Sequence, residues 1–108
     1  MNKYLLIVLA VVGLSAGQAT QTFQGVVTDN DCDTGDHSRM RMGETDAECT
    51  LACIDAHGAS YVLFDGKNAY TLSGQKSPQP FAGKKVTVAG RLDVKTKTIQ
   101  VSSITESM

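Results

Sequence analysis

The stretch KVTVAGRLDVKTKTIQVSSI, residues 85–104, decides the fold class. Val86 and Val88 alternate with polar or small neighbours, and so do Ile99 and Val101. That is the period-two spacing of a pleated strand with one face toward a core. On a helix, two residues such as Val86 and Val88 would point to nearly opposite sides. The polar loop Asp93–Lys97 separates the two runs, so Lys85–Leu92 and Thr98–Ile104 read as a hairpin. Gly90 interrupts the first run, where a strand of a small barrel bends.

Upstream, three further segments carry the same signature. Ser60–Phe64 (SYVLF) ends in Asp65-Gly66, a hairpin signal, and Ala69–Leu72 returns from it. Thr22–Asp29 (TFQGVVTD) is the first strand, with Gly25 placed as a bulge. Ser77–Gly83 (SPQPFAG) holds both prolines and reads as a connector with Phe81 tucked beneath it. One helix is marked by a capping box, Thr45-Asp46-Ala47-Glu48, and by Gly58 as its terminating residue. Its expected buried stripe is Ala47, Leu51 and Ile54, with Cys49, Cys53 and His57 in a row alongside. The sum is a mainly β fold: a small five-stranded OB-like barrel with one α-helix inserted between strands 1 and 2. The helix of an OB-fold ordinarily lies between strands 3 and 4, so a β-sandwich or an α+β roll stands as the alternative. Such barrels host many functions, and the chemistry must be sought in particular residues.

The N-terminus carries a targeting signal. Lys3 precedes the apolar run Tyr4–Leu14, and Ser15-Ala16-Gly17-Gln18-Ala19 supplies small residues for cleavage. Residues 1–19 are therefore expected to be a signal peptide, cleaved near Ala19, with residues 20–108 forming one domain that is periplasmic or secreted. The apolar run is short for a bilayer span, so no membrane attachment is expected after cleavage. Acidic residues number 11 against 10 basic ones, and Lys3 leaves with the signal. That balance argues against nucleic acid as a partner.

All three cysteines fall in one stretch, Cys32, Cys49 and Cys53. In an exported domain with a thin core, a disulfide from Cys32 to Cys49 or Cys53 is the plain expectation. It would close a loop worth about 3 kcal/mol in the chain-entropy model. One thiol would remain, free to link two chains into a disulfide-bonded dimer. The i, i+4 spacing of Cys49 and Cys53 suits a shared metal ion better than a bond between them. Joined by Cys32 and His37, they form a sulfur-rich set for copper or zinc, with Met40, Met42 and His57 as accessory ligands. Thiol redox chemistry is a third reading, weakened by Asp46 and Glu48 beside Cys49 and by the lack of a C-x-x-C pair. Asp29, Asp31 and Asp33 imitate the start of a calcium loop, but the glycine arrives one residue late and Met40 stands where glutamate belongs. No nucleophile elbow or phosphate-binding loop is present, so nothing asks for an enzyme.

Gly25-Val26-Val27-Thr28-Asp29-x-Asp31-Cys32, His37, Met42-Gly43, Cys49-x-x-x-Cys53 and Tyr61-Val62-Leu63-x-Asp65-Gly66 form a recognisable pattern. Tyr70-x-Leu72, Phe81-Ala82-Gly83-x-x-Val86-x-Val88-x-Gly90 and Ile99-x-Val101-x-Ser103-Ile104 continue it. This pattern resembles a family of small exported bacterial proteins, OB-like and classed as a domain of unknown function. The resemblance runs from about Phe23 to Ile104 and implies a role for Cys32, His37, Cys49 and Cys53; Met40 and His57 lie outside it. The expected function is thus an exported binding or scaffold domain stabilised by its cysteine cluster, with a copper- or zinc-binding protein as the alternative.

Overall fold

The structure is a computed structural model and describes residues 20–38 and 41–107. The signal-peptide reading and Met40 lie outside the described residues. Among the described residues, five strands and one α-helix follow in the order β1 (Gln21–Asp29), α1 (Asp46–His57), β2 (Tyr61–Phe64), β3 (Ala69–Leu72), β4 (Lys85–Asp93) and β5 (Thr98–Glu106). A 3-10 turn, Gln79–Phe81, lies between β3 and β4. The protein is mainly β, with all five strands in one mixed sheet. Neighbours run β1-β2-β3-β5-β4, and β1 also pairs with β4, so the circuit of pairings returns to its start. Only β3 and β5 run parallel, Thr71 opposite Thr98 and Leu72 opposite Ile99.

β1 serves two neighbours in succession. Its first part, Gln21–Val26, pairs with β4, and its second part, Val26–Asp29, pairs with β2. The change of partner requires close backbone approach at Gly25, where a Cβ would run into the carbonyl of Phe64. The register shift falls elsewhere, between Ala89 and Gly90 opposite β5. The expected bulge at Gly25 is thus corrected: Gly25 allows a close crossing, and Gly90 marks the irregularity.

The alternating residues meet in the interior as their period requires. Val27, Tyr61, Leu63, Leu72, Ala82, Val86, Val88 and Ile99 form the buried core, with Phe81 and Val101 packed against it. Phe23 and Tyr70 also pack against this core, their rings 5.9 Å apart in a tilted arrangement.

Helix α1 packs on β1. Thr45 caps it by accepting the Glu48 amide at 3.1 Å, and Gly58 ends it in the left-handed conformation at φ 63°. The buried face matches the expected stripe only in part: Ala47 and Ile54 pack against the core, but Leu51 does not. Cys49, Thr50 and Cys53 are the buried residues, whereas Ala47 and Ile54 are half-buried and Leu51 is 37% exposed. The helix turns its sulfur-bearing side inward because Gly43 and Gly83 hold the chain tightly against its first turn. A Cβ on Gly83 would stand 2.8 Å from the Ala47 nitrogen, and one on Gly43 would stand 2.6 Å from the Cβ of Glu48.

Candidate metal centre

The segment from Asp29 to Cys53 is built on fixed backbone. Asp29 is the last residue of β1 and is fully buried. Its Oδ1 accepts the amides of Asp31 at 3.1 Å and Cys32 at 3.0 Å, while the Asp29 carbonyl also accepts from Cys32. Thr28 Oγ1 donates to the Cys32 carbonyl at 2.8 Å, and the Gly35 amide donates to the same oxygen at 2.9 Å. Asn30 ties the other side of the turn to Ser60, at the entry to β2. These bonds leave Cys32 little freedom. The chain then runs through His37 and returns along the helix, where the Met42 amide donates to Cys49 Sγ at 3.3 Å.

Cys32, His37 and Cys49 converge: one ligand atom from each lies within 4.8 Å of the others, and all three residues are buried. His37 is 3% exposed, and its Nδ1 has no hydrogen-bond partner. A buried imidazole nitrogen without a partner is uncommon, because its desolvation goes uncompensated. Cys53, the fourth residue of the expected set, faces a different pair. It groups with Asp29 and Asp31, again within 4.8 Å. Of the accessory candidates, His57 is exposed at the helix end and belongs to neither group, while Met42 is 36% exposed and meets Cys49 through its backbone amide.

Against the expected bridge, among the described residues no disulfide joins Cys32 to a helix cysteine, and all three cysteines are buried. Cys49 and Cys53 lie 4.5 Å apart and unbonded, as the nearly parallel side chains of an i, i+4 pair dictate. Burial pushes the Cys32 thiol up to about 11, assisted by the negative charge of Asp29. Burial likewise pushes Cys53 up to about 12, again assisted by the negative charge of Asp29. Thiols so raised are protonated near neutrality and are poor nucleophiles, which counts against the redox reading. A cation would reverse this, since it takes the thiolate and releases the proton.

That Cys32, His37 and Cys49 share one segment was legible in the sequence, and the grouping of Cys53 with Asp29 and Asp31 was not. Asp29 and Asp31 were visible only as part of an imperfect calcium loop. Their convergence with Cys53 depends on where α1 crosses β1. Comparison with known proteins returned no matching family model, no matching curated protein and no matching solved structure.

Proposed function

We propose that this chain is an exported metal-binding domain in which Cys32, His37 and Cys49 hold one soft ion, Cu(I) in preference to Zn²⁺. The observation that carries the reading is the convergence of two buried cysteine sulfurs, neither in a disulfide, on a buried imidazole whose Nδ1 has no partner. Two sulfurs and one nitrogen with little water nearby suit a low-coordinate soft cation. Binding would convert both thiols to thiolates and satisfy Nδ1 in one step. The scaffold is read as an OB-like barrel: the returning pairing circuit and the parallel β3–β5 contact support that, with the helix displaced to the β1–β2 connection. Export rests on the signal pattern in residues 1–19, and its oxidising destination makes a disulfide staple the competing use of the same thiols.

Both uses are tested on protein recovered from the exported fraction, whose N-terminus is expected at Thr20. Reduced under anaerobic conditions, it should bind Cu(I) in competition with a chromophoric chelator. Cys32→Ser, Cys49→Ser and His37→Ala should each weaken that binding at least about tenfold, the least expected for the loss of a ligand or its support, while His57→Ala leaves it unchanged. A Cys32 disulfide in the recovered protein, with no copper binding after reduction, would replace the metal reading with a structural one.

A further inference from the structure

Beside this centre lies a second group that the proposed function does not use. Asp29, Asp31 and Cys53 each present one ligand atom within 4.8 Å of the other two. Acidic residues gather on many surfaces without a ligand, but this group differs in two respects. Asp29 is 0% exposed, and its Oδ2 has no hydrogen-bond partner, although its Oδ1 is held by two amides. Cys53 is also 0% exposed and free. Among the described residues the ion pairs are Arg41–Asp46 and Lys84–Glu106, both exposed, and neither involves Asp29. A buried carboxylate with a bare oxygen and no cation is strongly unfavourable unless something positive is supplied.

We propose that Asp29, Asp31 and Cys53 form a second cation site adjoining the first, one that takes a divalent ion of borderline softness, Zn²⁺ foremost. One sulfur and two carboxylate oxygens are too hard a set for Cu(I) and too soft for calcium, and all three are ordinary zinc ligands. Tetrahedral zinc with these ligands separates them by roughly 3.3–3.8 Å, so a group spanning at most 4.8 Å closes on the ion with about an ångström of movement. Zinc forms a bond to Cys53 Sγ as the thiol proton leaves to water, and Asp29 Oδ2 gains the partner it lacks. Asp31 is exposed, so this site opens to solvent and keeps a coordination position for water, whereas the first site is enclosed. The two sites are mechanically joined. Asp29 Oδ1 holds the amide of Cys32, a ligand of the first site, while the same carboxylate faces the second.

The test counts zinc on the reduced full chain by equilibrium dialysis and elemental analysis, with Co²⁺ as a spectroscopic substitute. Two equivalents are expected. Asp31→Ala, an exposed substitution that leaves the core intact, should reduce them to one, as should Cys53→Ser. Cobalt remaining on Asp31→Ala should keep the charge-transfer intensity of a two-thiolate site. Two equivalents on Asp31→Ala would overturn the second site. A single wild-type equivalent that survives Asp31→Ala and is lost in Cys32→Ser would also overturn it and leave the first site standing. A single equivalent with the opposite pattern would keep the second site and show that the first does not take zinc, and no bound zinc would overturn the second site and leave the first to its Cu(I) test.

Discussion

His37 and the thiols it meets show how much a single side chain's surroundings matter. A histidine in an acidic loop carries no obligation to be buried, yet this one is 3% exposed with a bare Nδ1. Cys32 and Cys53, ordinarily near 9.0, stand at about 11 and about 12 because burial disfavours the thiolate. Above the ordinary value the unfolded chain has lost thiol protons that the folded chain retains, so rising pH favours unfolding. The contribution of these thiols to stability is therefore complete below about pH 9 and is lost as pH rises through about 11 and 12. Denaturant midpoints of reduced, metal-free protein should fall from about pH 9 upward, and Cys53→Ser should flatten the decline. A midpoint that holds steady to about pH 11 would contradict the buried-thiol description. Metal affinity should move in the opposite direction and strengthen with pH, because the bound form needs thiolates.

At the scale of an element, α1 separates local signals from packing. Its ends were legible because capping is local: Thr45 accepts the Glu48 amide, and Gly58 takes a φ of 63° that other residues adopt at a cost. Thr45→Ala should accordingly lower stability by about 1 kcal/mol. Its buried face was legible only in part, for Ala47 and Ile54 pack against the core as expected. An amphipathic reading favours Leu51 as core, but Leu51 is 37% exposed and the sulfur-bearing side faces β1. Cysteine and threonine are small enough to let the helix lie close to the strand, and a leucine there would hold it away. Leu51→Ala should therefore cost under about 1 kcal/mol, well short of the 2–5 kcal/mol of a core leucine. Chemical denaturation of the two variants side by side checks both values, and a larger loss for Leu51→Ala would return that residue to the core.

At the scale of the whole molecule, the circuit of strands depends on two places where backbones nearly touch. A Cβ on Gly90 would lie 2.8 Å from Ile99 Cγ2 and 3.0 Å from the Gln100 carbonyl carbon. Gly90→Ala should force β4 away from β5 at the register shift and cost about 1–3 kcal/mol, read as a lower denaturant midpoint. An unchanged midpoint would mean that the two strands separate there without penalty. The strands themselves follow from short-range chemistry: alternation at Val86, Val88, Ile99 and Val101, and the Asp65-Gly66 turn between β2 and β3, act within a few residues. The sequence alone therefore determined the mainly β class, the number of strands, the helix ends and the gathering of cysteine, histidine and acidic side chains in one segment. Only the tertiary structure decided that β1 divides its length between β4 and β2, that α1 turns its thiols inward, and that Cys53 joins Asp29 and Asp31 instead of Cys32 and His37. Those outcomes depend on distances between residues far apart in the chain. Such distances are set by how whole elements pack, and no local period or spacing encodes them.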